Sequence, residues 1–330
     1  MVTFVRAQEI EHEIGPAGSF SLRVTDAEVE LRAARDGVAR VRATFNIRAD
    51  SDIQADEILE RVSLVATTGP GSLDVSEPRP PRGLSGLGAL AQLLTGRGGS
   101  VSLRVEAAVP AECRVRMSGV SAELTAIGLR GQQHYNTVSG DLVLTDAGGA
   151  VKLNCVSGDV SIRSQGPLEV EATTVSGDLS VVAPEYGLVR INTVSGDVEL
   201  EGRLAEGRSH RVETVSGDLS LGITGGLTLE VRSLSSDVDL ALPHRSEGSR
   251  DRRRYTVGDG AAELLFSSMS GDVSVGGSQR APPPPPAPAP PAPPRPAILP
   301  DTELEVLRAL ERGEIDVEEA ARRLSGDDGR

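Results

Sequence analysis

The sequence predicts a mainly β protein built as a parallel β-solenoid, with about 19 residues per coil and two or three short strands in each, followed by a small C-terminal α-helical hairpin. Three observations carry this. A phrase of the form TVSGDLxL recurs through the middle of the chain. Apolar residues alternate with polar ones on either side of each copy. A proline-rich stretch then separates the repeats from a short segment of helical pattern.

Aligned on its aspartate, the phrase places Asp141, Asp159, Asp178, Asp197, Asp218, Asp237 and Asp272 at successive spacings of 18, 19, 19, 21, 19 and 35 residues. Near-constant spacing is the signature of stacked repeats. The last interval is about two periods, so a degenerate coil is expected around "RRYTVGDGAAEL". Upstream, "RMSGVSAEL" fits the same frame with Val120 at the aspartate slot. Around Asp197, Val189, Ile191, Val194, Val198 and Leu200 take the apolar slots, and Val156 and Leu234 match Val194 in their own units. Period two reads as strand. So short a unit buries its apolar side only by stacking on copies of itself.

Gly140, Gly158, Gly177, Gly196, Gly217 and Gly271 precede the aspartates and supply a backbone conformation that other residues adopt at a cost. Each Ser-Gly-Asp is therefore expected to turn a corner, its carboxylate satisfied by local backbone N–H groups and the adjacent serine hydroxyl. A row of bound cations is the alternative, but a single carboxylate per unit is few oxygens for calcium. No catalytic, cofactor or metal residues are expected. Cys113 and Cys155 form no CxxC or His/Cys cluster, and Cys155 occupies a packing slot otherwise held by threonine or serine. His12, His134, His210 and His244 are scattered, and His134 and His210 are expected to decorate a face.

Five segments follow: irregular β coils over 1–76, a Gly/Pro-rich loop with a short helix over 77–100, the repeats over 101–277, a proline-rich linker over 278–300 and the hairpin over 301–330. Leu87 to Leu94 is expected to cap an open end of the stack, and Arg250 to Arg254 to lie in a solvated insertion. In the tail, Leu304, Leu307 and Leu310 share one helical face, while Ile315 and Leu324 belong to the facing helix opened by Asp316 and Glu319. So small a core implies docking, either on a second copy or on a protein partner.

A formal net charge of -14 and a pI near 4.9 exclude nucleic acid as a partner, because phosphate backbones are gripped by excess Lys and Arg. Aromatics make up 2% of the chain with no Trp, which leaves little for carbohydrate subsites. No apolar run reaches 18 residues and no signal-peptide pattern is present, so a cytoplasmic, homo-oligomeric protein is expected that reaches a membrane only through a partner.

The block 101–277, with its TVSGD(L/V)xL units, resembles the bacterial putative-adhesin β-strand-repeat domains of unknown function. That resemblance implies a parallel β-solenoid and, for some members, a link to envelope stress or surface adhesion, with no catalytic residues to carry over. "GEIDVEEAARRL" (Gly313 to Leu324) resembles the short GxIxxEEAxxLL helical-hairpin modules that accompany such domains, which implies protein docking or oligomerisation. A non-enzymatic scaffold is the leading expectation. A β-helix lyase or hydrolase and a self-polymerising filament are the alternatives.

Overall fold

The computed structural model describes residues 2–78, 101–249 and 252–277. They are mainly β, with 23 strands in one sheet and a single helix among the described residues. The loop expected over 77–100, beyond its first two residues, its short helix, the linker and the whole hairpin lie outside the described residues.

The N-terminal part departs from simple coils. β1 (Val2–Glu13) pairs antiparallel with β4 (Val38–Ala49). Between them, β2 (Ser19–Arg23) and β3 (Asp26–Ala34) form one repeat-like unit. Helix α1 (Asp52–Val62) follows, where Ser51 Oγ accepts from Gln54 N–H at 3.2 Å and Gln54 Oε1 from Asp50 N–H at 2.9 Å, so the start of the helix is reciprocally capped. Arg6 on β1 binds Asp52 at 2.6 Å and Asp56 at 2.8 Å, which ties strand to helix. β5 (Val65–Gly69) and β6 (Ser72–Ser76) make an antiparallel hairpin.

From β7 (Val101–Pro110) onward, parallel pairing dominates. β8 (Arg114–Ile127) serves two ladders: its first half pairs with β2 and with β9 (Gln132–Ser139), its second half with β3 and with β10 (Leu142–Thr145). The first ladder continues through β11 (Gly149–Ser157), β13 (Leu168–Ser176) and the end of β14 (Leu179–Asn192). The second runs through β12 (Val160–Arg163), the start of β14 and β15 (Val198–Leu204). Next come β16 (Ser209–Glu213) with β17 (Leu219–Ile223), and β18 (Leu227–Ser235) with β19 (Val238–Leu240).

Chain order then breaks. β20 (His244–Ser249) and β21 (Arg252–Val257) form an antiparallel hairpin that pairs with β18, so the long interval holds this hairpin where a degenerate coil was expected. The last unit, β22 (Ala262–Ser270) with β23 (Val273–Gly277), inserts between its predecessors: β22 pairs with both β16 and β18, and β23 with both β17 and β19. The spatial order of aspartates therefore ends 197, 218, 272, 237. The N-terminal end interlocks likewise, since β2 and β3 lie between β8 on one side and β6 and β7 on the other. The upstream frame also shifts by three residues: Ser121 pairs with Ser139 and Leu124 with Leu142, which puts Val120 level with Val138 and Glu123 level with Asp141.

The alternating apolar residues line one continuous core between the ladders. Leu168, Val170 and Ala172 of β13 point inward, as do Val189 and Ile191 of β14. Strand parity then carries Thr174 and Thr193 inward and turns the following valine out. Val156, Val194 and Leu234, expected inside, are exposed.

Candidate functional site

Each Ser-Gly-Asp forms a corner between the ladders, and stacking turns it into columns. In the aspartate column, Asp141 Oδ1 accepts from Asp159 N–H at 3.0 Å, Asp159 Oδ1 from Asp178 N–H at 2.9 Å, and Asp178 Oδ1 from Asp197 N–H at 2.9 Å. The chain continues from Asp197 to Asp218 at 2.9 Å, Asp218 to Asp272 at 2.8 Å and Asp272 to Asp237 at 2.8 Å. The donors belong to the next unit, where donors within the same turn and the adjacent serine were expected. Repulsion between carboxylates one strand apart is about 0.9 kcal/mol per pair even at the dielectric of water. A hydrogen bond to a charged acceptor contributes about 1.5–3 kcal/mol and exceeds it. Among the described residues, no group of three His, Cys, Asp or Glu side chains could hold a metal ion.

Gly196 shows why the preceding residue lacks a side chain. Its φ is +127°, and a Cβ there would stand 2.2 Å from the carbonyl oxygen of Gly177 in the unit below. Gly158, Gly177, Gly217 and Gly271 meet the same obstacle at 2.2–2.4 Å. Gly140 meets the carbonyl oxygen of Ala122 at 2.3 Å.

A third column runs inside. Thr174 Oγ1 donates to Thr193 Oγ1 at 2.9 Å, and Cys155 fills the equivalent slot with its Sγ 3.8 Å from Gly158 O. Thr214, Ser268 and Ser233 follow, and their hydroxyls are buried without a partner among the described residues. The fourth column, outward and aliphatic, is Val120, Val138, Val156, Val175, Val194, Val215, Met269 and Leu234 in spatial order.

The histidines do not assemble a site. His210 is buried, contrary to the expectation of a surface position. Its Nδ1 accepts from Val189 N–H at 3.1 Å while Nε2 donates to Ala205 O at 3.0 Å, and burial lowers its pKa. His134 Nε2 lies 3.1 Å from Asn136 Oδ1, His12 Nε2 3.0 Å from Gly69 O, and His244 sits edge-on to Tyr255. Burial pushes the Cys113 thiol up to about 11, which removes it as a nucleophile at neutral pH.

Of the arginines expected in a solvated insertion, Arg252 and Arg254 lie on β21 more than half exposed, and they are also paired. Glu230 is bound by Arg252 at 2.8 Å, by Arg254 at 3.5 Å and by Arg232 at 2.7 Å. Arg253 donates to Ser236 O at 2.7 Å and to Ser236 Oγ at 2.8 Å. Arg250 lies outside the described residues. The Arg252 and Arg232 guanidiniums hold the Glu230 carboxyl at about 2, well below the usual range. A surface depression of about 320 Å³ here contains His210, Glu230 and Arg254. Both His210 nitrogens are bonded and Glu230 is held ionised, and Glu263 also lines the depression. A second depression, about 510 Å³, lies over Glu9, Glu30, Arg32, Arg40 and Glu106.

Among the sequence-named positions, the glycines and aspartates from Gly140 to Asp272 do stack together. Leu304, Leu307, Leu310, Ile315 and Leu324 lie outside the described residues. Sequence reasoning missed the outward column, although Thr-Val with alternating inward residues before it carried the signal.

No curated protein matches this chain. Among solved structures, an adhesin-type protein (BF0245, described as a putative adhesin) from Bacteroides fragilis NCTC 9343 is 8% identical, with 82% of this chain and 97% of that one covered and a TM-score of 0.38. A protein described as a putative lipid binding protein from Parabacteroides distasonis ATCC 8503 is 11% identical over 82% and 96%, with a TM-score of 0.31. A putative cell adhesion protein from Clostridium sporogenes ATCC 15579 is also 11% identical, over 82% and 99%, with a TM-score of 0.24. The Toastrack DUF4097 family matches over residues 50–276, from just before α1 into β23, and the chain belongs to that family.

Proposed function

We propose that this protein is a non-enzymatic bacterial scaffold, in which the two parallel ladders wind as one rigid β-solenoid and the tail 301–330 serves as its docking module. The observation that carries the reading is the aspartate–glycine column. The most repeated polar group of the chain spends its carboxylate on the backbone of the next unit, so it acts as a structural spine. An enzyme of the lyase or hydrolase kind needs an acid–base pair free to exchange protons in a cleft. In the Glu230 depression both His210 nitrogens are hydrogen-bonded and Glu230 is held ionised by arginines. The tail residues Leu304, Leu307, Leu310, Ile315 and Leu324 supply the apolar face for a protein partner or a second copy, and the family resemblance suggests the bacterial envelope as the setting.

The test compares the full chain with its Leu307→Asp/Leu310→Asp variant as bait for cell lysate. Partners retained by the first and lost by the second, at equal melting temperature, support the reading. Release of new reducing or unsaturated ends from acidic polysaccharides by the purified chain would overturn it.

A further inference from the structure

The outward aliphatic column has no role in the spine or in the tail. Its six valines, from Val120 to Val215, are 44–48% exposed, Met269 57% and Leu234 78%. One side chain per unit at the strand spacing makes a stripe about 34 Å long. Its exposed area is about 700 Å², above the ~300–600 Å² of the largest apolar patch on a typical monomer. β-propensity does not demand it, since threonine would satisfy the strand and remain polar. The outward positions two residues earlier, Asn136, Asn154, Thr173 and Asn192, are in fact polar. On the other side of the stripe runs a serine row (Ser139, Ser157, Ser176, Ser195), and beyond that the aspartate column.

We propose that this stripe is the contact face between two copies of the chain, with their stacks side by side and pointing the same way. The area decides for a second copy, because about 700 Å² is close to the ~800 Å² per partner of a standard stable interface. The spacing agrees: only another such ladder presents aliphatic groups at the same strand repeat. Charge then selects the direction. A two-fold axis across the stacks would lay one aspartate column on the other. An axis along the stacks sends the two columns to opposite outer flanks and sets the Asn/Thr row of each copy against the serine row of its neighbour, which can exchange hydrogen bonds. The proposal is independent of tail docking and uses a different face.

The experiment therefore uses the full chain carrying Leu307→Asp/Leu310→Asp, which removes any association through the tail. Sedimentation at micromolar concentration should show a dimer. Adding Val175→Lys/Val194→Lys/Val215→Lys should weaken it by about 100-fold or more with unchanged thermal unfolding, and Val194→Ser/Val215→Ser should weaken it by a smaller factor if the lysines impair folding. Cysteine pairing reads the direction, because native Cys113 and Cys155 are buried. Under oxidation, Val120→Cys chains should cross-link to each other, and so should Leu234→Cys chains. A monomer in the tail-variant background, a dimer indifferent to the valine substitutions, or cross-linking only between Val120→Cys and Leu234→Cys chains would each overturn the proposal. Binding of the stripe to phosphatidylglycerol vesicles by a monomeric chain would assign it to a membrane surface instead.

Discussion

Replacing Gly196 by alanine should cost far more than a surface glycine substitution, and the structure gives the reason. The added methyl would stand 2.2 Å from Gly177 O and 2.9 Å from Gly177 C, both backbone atoms of the corner between β13 and β14, strands paired on either side. No rotamer change relieves such a contact. The φ of +127° is itself a region that residues with a Cβ occupy at about 1–3 kcal/mol. With the clash, the total should be about 3–5 kcal/mol, the range reached by core disruption. Gly207 is the control, since its φ is +67° and nothing lies within 4 Å of an added Cβ. There only the left-handed conformation costs, at about 1–2 kcal/mol. Urea unfolding followed by far-UV circular dichroism should show the Gly196→Ala midpoint well below that of Gly207→Ala, with and without chelator. Equal midpoints would refute the stacking argument, and a large calcium dependence would refute the metal-free spine.

Four further outcomes follow from the columns and the order of units. Asp197→Asn keeps an acceptor for Asp218 N–H and should change stability by less than about 1 kcal/mol, whereas Asp197→Leu orphans that N–H and should cost about 1–3 kcal/mol by the same urea assay. Thr214→Val removes a buried hydroxyl that has no partner and should be neutral or stabilising in a thermal melt. Glu230 has a depressed pKa in the fold, so its stabilisation is complete above the ordinary value of 4.5 and is lost as pH falls toward about 2; the melting difference from Glu230→Gln should shrink across that window and stay constant above it. A chain ending at Gly260 lacks the inserted unit, which takes one neighbour from each of β16, β17 and β18 and the sole neighbour from β19, so it should lose cooperative unfolding, whereas one ending at Gly277 should retain it.

The repeats were legible because each carries both its core pattern and its corner. Val189, Ile191, Val198 and Leu200 alternate cleanly, and the glycine before each aspartate has one structural use. What failed has physical causes. Val194 looks like the next core residue, yet strand parity admits the smaller Thr193 and excludes the valine. Helix α1 had a readable cap in Ser51 and Gln54, but it lies among β-patterned segments that drew the eye to period two. The order of units was not legible at all. Every unit carries the same phrase, so any order satisfies local sequence, and only the β20–β21 hairpin beside β18 decides that the last unit turns back. The partner of each aspartate was hidden for a related reason: it is a backbone group of the next unit in space, 18–21 residues away for four of them and 54 and 35 residues away for Asp218 and Asp272.

The same ordering bears on how copies of the chain can meet. A stack of identical parallel units would expose, at each end, an edge that matches its own opposite end, which is the route to a filament. Here most of both ends is not such an edge; among the described residues only the three-residue β19, paired with β23 alone, ends a ladder in parallel. β1 and β5 run antiparallel to the strands they cover, and β20 runs antiparallel to β21, so an incoming parallel unit meets hydrogen-bonding groups with the wrong spacing. Charge adds to the mismatch: β1 carries Glu9, Glu11 and Glu13 at exposed positions, and β20 carries Arg245 and Glu247. Gly248, at φ +125°, further interrupts the regular strand geometry of that edge. Growth along the stack is therefore opposed at β1, β5 and β20, and the three residues of β19 are a short parallel edge for a further unit. The flanks remain, and of these the aliphatic stripe is the exposed apolar one. Each added repeat lengthens the spine and the stripe together, so a contact built on that face gains strength in step with the fold that supports it.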